Sequence, residues 1–138
     1  MKTLRLQSEP IDCASAIAAT GTVEDGAVLT FIGTPRRDSG GRPVEHLFYE
    51  AYEAMALKEM DKIAEEALTA WQITDCLIVH RMGRVDPGEA SILIAVSARH
   101  RDEGFKALRF VIDTIKKTVP IWKKEVYTDG SEWVSDRV

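Results

Sequence analysis

The chain of 138 residues has only two cysteines, few aromatic residues and no long apolar run. Cys13 and Cys76 stand far apart without a CxxC pair, which excludes a disulfide scaffold and is typical of a reducing compartment. No stretch of about 20 apolar residues is present, and Met1-Lys2-Thr3 leads directly into Leu4 without the apolar segment of a signal peptide. We therefore expect a cytoplasmic protein that does not enter a membrane.

The common motifs of cofactor, metal and nucleophile sites are also missing. Neither a GxGxxG run after a strand nor a Walker-type GxxxxGK occurs, which excludes the usual phosphate-binding loops. His46, His80 and His100 stand alone, without an HxxxH spacing or cysteine partners. No serine lies in a GxSxG elbow, so a hydrolytic triad has little support. We expect no metal and no cofactor.

Charge is acidic in total but unevenly distributed. The 18 Lys and Arg against 22 Asp and Glu give a net charge of −4, which argues against nucleic-acid binding. Residues 99–124 nevertheless hold eight basic side chains against three acidic ones, a local sum of +5. This basic segment favours a small anionic ligand over a polymer, while a solvated helix face is the other interpretation. Charge alone leaves both open.

Hydrophobic patterning predicts one α+β domain over residues 1–138, with a mostly antiparallel sheet and two long amphipathic helices. Apolar positions at helical spacing predict one long helix over 52–71 and another from Asp102 to the stop at Pro120. A short helix is expected from Pro10, and an exposed mobile loop over 34–42. Strands are predicted at 4–6, 27–32, 44–49, 73–80, 90–98, 122–128 and 132–134, with turns at 86–89 and 129–130.

Basic residues precede and follow the second long helix. Arg99-His100-Arg101 lies just before its N-terminus, where free backbone N–H groups favour an anion, although a plain polar connector fits equally. Arg36 and Arg37, at the base of the loop, could close over the same ligand or be ordinary loop charges.

Lys116 and Lys123 form the second basic candidate. Neighbouring cations and partial burial would lower the pKa of a lysine and let it transfer protons near neutral pH. Seven residues separate the two, so only a reversal of the chain at Pro120 would bring them together. Otherwise they are surface lysines.

Four segments carry a resemblance to one known family over nearly the whole chain. They are DGAVLTFIGTPRR (25–37), YEAYEAMALKEMDKIAEEA (49–67), VHRMGRVDPGEASILIAVSARHR (79–101) and DTIKKTVPIWKKEVYTDGSEWV (113–134). The sequence resembles the large, catalytic subunit of molybdopterin synthase. The resemblance implies an α/β hammerhead-like fold and a sulfurtransferase that converts cyclic pyranopterin monophosphate (precursor Z) to molybdopterin in molybdenum cofactor biosynthesis. It also implies a small ubiquitin-like carrier subunit, whose C-terminal Gly-Gly thiocarboxylate supplies the two dithiolene sulfurs, and a central homodimer within a heterotetramer.

The resemblance also implies roles for individual residues. Lys116 corresponds to the essential lysine beside the incoming tail and Lys123 to the second catalytic lysine. In the family, some pocket residues come from the neighbouring subunit. Two departures, Pro35 with the second arginine Arg37 and the extra cation Arg99, leave open which arginine contacts substrate. The implied substrate-binding set is Thr34, Pro35, Arg36, His100, Arg101, Lys116, Lys123, Lys124, Glu125 and Arg137.

A protein of a different class would fit the same cationic residues. It is a non-catalytic dimeric module that binds a small phosphorylated metabolite. Retention of both Lys116 and Lys123 disfavours it, because recognition of a phosphate needs only the arginine and histidine cluster.

Overall fold

The computed structural model describes residues 1–135, which form two β-sheets and three α-helices. In chain order the elements are β1 (Lys2–Gln7), α1 (Cys13–Ala18), β2 (Ala27–Gly33), β3 (Asp38–Ser39), β4 (Arg42–Ala51), α2 (Glu53–Ala70), β5 (Ile73–Arg81), β6 (Gly83–Val85), β7 (Ile92–Ala98), α3 (Arg101–Thr118), β8 (Ile121–Tyr127) and β9 (Glu132–Ser135). Within this described part of the chain, no helix has the length and apolar character needed to span a membrane.

The first sheet has the strand order β1-β5-β7-β2 and is covered on both faces. Only β1 and β5 pair in parallel; the other two pairings are antiparallel. Ile78 and Ile94 point into the main core with α2 and α3, while Leu77 and Leu93 pack under α1. Because both faces are covered, every residue of β7 is buried, which explains its unbroken apolar run.

The second sheet is built around β4, which pairs with β3, β6 and β8, and β8 in turn pairs with β9. The register sets Tyr49 opposite Lys123 and Leu47 opposite Glu125. Directly opposite residues of an antiparallel pair lie on the same face of the sheet. Lys123 and Glu125 therefore share the inner face with the buried Leu47 and Tyr49.

Helix α3 connects the two sheets, and the chain reverses direction directly after its end, between α3 and β8. Its first turn carries Asp102 and Glu103 and its last turn carries Lys116 and Lys117, the charge order that the helix dipole favours. The helix ends before Pro120, whose carbonyl accepts a hydrogen bond from the amide of Tyr52 at 3.2 Å. Strand β8 then starts at Ile121 and runs back beside the end of the helix.

The structure confirms the predicted α+β class, the two long helices and the antiparallel pairing of β5 with β7. The structure differs locally from the expectations in the start of one helix and in two short strands that were not predicted. The short helix starts at Cys13 with Asp12 as its N-cap, because the Asp12 carboxylate accepts from the amide of Ser15; Pro10 lies outside it. The segment 34–42 contains β3, closed by two glycines with positive φ. Strand β6 lies between β5 and the turn at 86–89, and it joins the second sheet.

Candidate active site

A cavity of about 330 Å³ opens where the end of β2, the last turns of α3 and the inner face of the second sheet meet. Three of its lining side chains are cationic: Arg36, Lys116 and Lys123. Two are acidic, Asp38 and Glu125. The remaining lining residues are Phe31, Gly33, Thr34, Pro35, Ser39, Val44, Leu47, Tyr49, Ser91, Ile92, Ile112 and Ile115.

The loop that follows β2 is held firmly against the start of β7. Gly33 lies so close to Ile92 that an added Cβ would stand 2.8 Å from the Ile92 Cγ2 atom. The amide of Ser91 donates to the Gly33 carbonyl at 2.8 Å, and the amide of Gly88 donates to the carbonyl of the buried Pro35 at 3.1 Å. These contacts bring Arg36, with Thr34 and Pro35, to the wall of the cavity.

Lys116 and Lys123 line the same cavity, although the helix end and Pro120 separate them in the chain. Lys116 extends from the last turn of α3, and Lys123 lies on β8 after the reversal. The Lys123 side chain is 26% exposed, so it is partly withdrawn from solvent. The reversal at Pro120, which the sequence analysis could only pose as a condition, therefore occurs.

Glu125 is the polar partner of Lys123. Its Oε1 atom lies 3.6 Å from the Lys123 Nζ atom, and its Oε2 atom accepts a hydrogen bond of 2.6 Å from the Tyr127 hydroxyl. Burial raises the pKa of Glu125, but the Tyr127 hydrogen bond and the Lys123 charge together outweigh it, so that the net pKa is lowered. A carboxylate held in this way fixes the Lys123 ammonium at the floor of the cavity.

Tyr49 and Ser91 are cavity residues that the sequence analysis missed. The Ser91 hydroxyl donates to the Gly33 carbonyl at 3.1 Å, and the Tyr49 ring meets the His80 ring edge-on with centroids 4.9 Å apart. Burial raises the pKa of Tyr49, and a hydrogen bond with Ser91 partly opposes this. Both residues lie inside predicted strands. The alternation of a strand shows which residues share a face but not which face borders a cavity.

Three of the predicted site residues lie elsewhere in the described part of the chain. His100 and Arg101 are at the start of α3, roughly 22–24 Å from Lys116 at 1.5 Å per residue. Among residues 1–135 neither has an ion-pair partner. Lys124 is on the outer face of β8, with its Nζ 5.8 Å from the Phe48 ring centroid and 3.8 Å from Glu132. Arg137 lies outside the described residues.

The fold and the cavity together define an α+β protein with a small cationic site that can hold an anion and exchange a proton with it. In the described part of the chain, no three His, Cys, Asp or Glu side chains come together as a metal site.

Comparison with known proteins identifies the family. The family model described as MoaE protein matches residues 6–118. The molybdopterin synthase catalytic subunit of Pyrococcus abyssi is 44% identical over 126 residues, which cover 91% of this chain and 85% of that protein. The crystal structure of molybdopterin synthase from Staphylococcus aureus is similar with a TM-score of 0.91 at 37% identity, covering 98% of both chains.

A more distant structure shares the fold alone. It is a protein–protein complex of subunits 1 and 2 of the molybdopterin-converting factor from Helicobacter pylori 26695. Its TM-score is 0.77 at 19% identity, with 95% of this chain and 87% of that chain covered.

The chain therefore belongs to the MoaE family, the catalytic subunits of molybdopterin synthase. It is an enzyme of molybdenum cofactor biosynthesis that converts precursor Z to molybdopterin. The family resemblance seen in the four sequence segments is confirmed.

Proposed function

We propose that the cavity between β2, α3 and β8 binds precursor Z and receives the C-terminal thiocarboxylate of a small ubiquitin-like carrier subunit, from which both dithiolene sulfurs are taken. One observation carries the proposal: Arg36, Lys116 and Lys123, distant in the sequence, line one small cavity. A phosphate-bearing substrate and a thiocarboxylate are both anionic. The three cations outnumber the carboxylates of Asp38 and Glu125 in this partly enclosed site, and the positive excess would attract both.

Each cation has a distinct task in the proposed reaction. Arg36 holds the phosphate, because its planar guanidinium can donate two parallel hydrogen bonds to it. Lys116 polarises the thiocarboxylate or transfers a proton as the sulfur displaces an oxygen from a carbon of the substrate: the C–S bond forms, the C–O bond at that carbon breaks, and the oxygen leaves on the opened phosphate or, protonated, as water. Water then cleaves the acyl–sulfur bond, so that the sulfur stays on the pterin and the carrier leaves as a carboxylate. Lys123, positioned by Glu125, stabilises the charge that develops.

The carrier subunit is supported by the chemistry and by a similar fold. Sulfur donation by an acyl thiocarboxylate requires a second protein chain whose end can reach Lys116 and Lys123. The cavity is open enough to admit such an end and lies next to exposed residues of α3. The Helicobacter pylori structure with the same fold is of a complex between two subunits of a molybdopterin-converting factor.

A second copy of this chain would complete the site with the two cations that the protomer places elsewhere. The exposed side of α3 borders an apolar groove formed with Phe31, Phe105, Leu108 and Ile112, and Lys116 lies at its end. Phe105 is 61% exposed, which is a large apolar exposure for a residue in mid-helix. A homodimer that packs the two α3 helices against each other would cover it.

The positions of residues along α3 show which side chains of a second copy would lie beside the cavity. In an antiparallel, two-fold pair of helices centred between Leu108 and Arg109, position 101 of one protomer lies opposite position 116 of the other. His100 and Arg101 of one copy would then reach the cavity of its partner at Lys116. This shared pocket is our proposal for why both residues lack ion-pair partners within the described part of the protomer.

Reconstitution with precursor Z and a thiocarboxylated carrier tests the proposal, with molybdopterin detected as its fluorescent oxidation product. We expect product from the wild type and none from Lys116→Ala. The matched control is Lys117→Ala, since Lys117 is an exposed lysine of the same turn that does not line the cavity. Both substitutions should leave stability nearly unchanged, because an exposed cation near a helix end contributes little to it.

Either of two results would overturn the proposal. One is normal turnover by Lys116→Ala. The other is binding of precursor Z by the wild type without product despite a competent carrier, the behaviour of a metabolite-binding module.

A further inference from the structure

Trp133 lies on the edge strand β9, on the same face of the second sheet as the floor of the cavity. In the β8·β9 register it lies opposite Glu125, which lines the cavity. Opposite residues share a face of the sheet, so Leu47, Glu125 and Trp133 form a continuous row across the inner face from β4 to β9.

The Trp133 indole is 62% exposed, whereas the other tryptophans are already packed. Trp122, on the outer face of the neighbouring strand, packs against Tyr52 with ring centroids 5.1 Å apart and the rings tilted by 60°. The ring centroids of Trp71 and Phe110 are 5.2 Å apart. The Trp133 indole therefore has a ring face free to pack against a flat ligand beside the cavity.

The aromatic residues that line the cavity, Phe31 and Tyr49, belong to its β2 and β4 walls, and neither lies on the β9 side. Tyr49 is only 4% exposed, with its ring against His80 and its hydroxyl on Ser91. Arg36, Lys116 and Lys123 suit the phosphate. A pterin whose phosphate lies among these cations would extend its flat pyrimidine ring past Glu125 toward β9.

We propose that Trp133 is a substrate-binding residue whose indole stacks on the flat pyrimidine ring of the pterin, so that it sets the selectivity for a substrate that carries this ring. The inference rests on the proposed placement of precursor Z in this cavity. Stacking on an aromatic side chain depends on a flat ring in the ligand and not on its particular hydrogen-bonding groups. Trp133 would thus contribute to binding of the substrate and not to the sulfur-transfer step.

Calorimetry on the full chain without a carrier measures the Kd of precursor Z, and thereby the contribution of Trp133 to substrate binding. Trp133→Leu should weaken the Kd about tenfold or more, the effect of losing one aromatic stack, while Trp133→Phe should retain most of the affinity. Trp122→Leu is the matched control, because it removes an indole of the same hairpin on the opposite face; its Kd should match that of the wild type. In turnover, Trp133→Leu should raise KM and leave kcat within about twofold.

Three results would overturn the inference: a Kd for Trp133→Leu within twofold of the wild type, equal losses in Trp133→Leu and Trp122→Leu, or a fall in kcat at unchanged KM. Loss of the dimer in Trp133→Phe, measured by sedimentation, would also overturn it, because the indole would then be a subunit contact. An inactive Lys116→Ala beside an unaffected Trp133→Leu would leave the proposed function standing and reject this inference alone.

Discussion

At the scale of single residues, His80 shows what burial does to a titratable group. The side chain is fully buried on β5, its Nδ1 lies 2.9 Å from the Arg81 carbonyl, and its ring packs edge-on against Tyr49. Within residues 1–135 its Nε2 atom has no hydrogen-bond partner. Burial disfavours the charged imidazolium and lowers the pKa of His80 to about 4, although the hydrogen bond to Arg81 partly opposes this.

The lowered pKa of His80 predicts a specific loss of stability in acid. Below pH 6.5 the unfolded chain binds a proton at this histidine, while the folded chain does not until about pH 4. Stability is therefore complete above pH 6.5 and falls as the pH drops toward 4. Between pH 7.5 and pH 5 the wild type should lose about 2 kcal/mol of unfolding free energy through His80.

Urea unfolding at the two pH values checks this prediction, with His80→Gln as the comparison. The glutamine variant cannot titrate at this position, so its stability should fall less than that of the wild type over the same interval. Its absolute stability is expected to be lower at pH 7.5, because the substitution disturbs the packing against Tyr49. An equal acid-induced loss in both proteins would contradict the assignment.

At the scale of elements, α3 resolves the two interpretations of the basic segment 99–124. Lys106 pairs with Asp102 at 3.0 Å and Arg109 with Asp113 at 2.9 Å, both one turn apart on the solvated side of the helix. In the protomer, the interpretation as a solvated helix face holds for these two cations. Lys116 and Lys123, in contrast, line the cavity. The basic segment 99–124 therefore contributes both exposed ion pairs on α3 and two of the cations that line the cavity.

The junction between β7 and α3 gives a prediction at the same scale. Gly26 packs so close to this junction that an added Cβ would lie 2.6 Å from the Arg99 carbonyl oxygen, while its amide donates to the Ala98 carbonyl at 3.1 Å. Because the obstacle is backbone, Gly26→Ala must push β2 away from the start of α3. We expect it to lower the unfolding free energy by about 1–3 kcal/mol.

Urea unfolding with a shared m-value measures the effect of Gly26→Ala. An unchanged midpoint would show that the junction adjusts without strain. If the start of α3 supplies a partner's pocket as proposed, the variant should also lose turnover more than Lys117→Ala does.

At the scale of the whole molecule, the shared pocket predicts complementation between two inactive variants. Lys116→Ala and Arg101→Ala should each be inactive alone. A mixed dimer would contain one pocket with both substitutions and one with neither. Refolding an equal mixture should restore about one quarter of the wild-type rate, because half of the dimers are mixed and each has one intact pocket.

Mixing without refolding is the control for this complementation, since dimers that do not exchange cannot create an intact pocket. No recovery after refolding, with mixed dimers verified by sedimentation or differential tags, would place Arg101 outside the partner's site. The proposed antiparallel pairing of α3 would then be wrong.

Much of this protein follows from its sequence because the signals are local. The i, i+3, i+4 spacing of α2 and α3, the apolar run of β7 and the Asp129-Gly130 turn each depend on neighbouring residues, and each appears in the structure. The family also follows, since its motifs extend over most of the chain.

The tertiary structure alone decided which residues share the cavity. Lys116 and Lys123 meet because α3 ends at Pro120 and β8 returns along β4, a pairing between distant segments. Tyr49 and Ser91 join them for the same reason, while Lys124 is directed to the outer face by the alternation of β8. A linear pattern gives the spacing along each element. The cavity depends on how the two sheets and α3 pack in three dimensions, and that packing is set by the burial of the whole core.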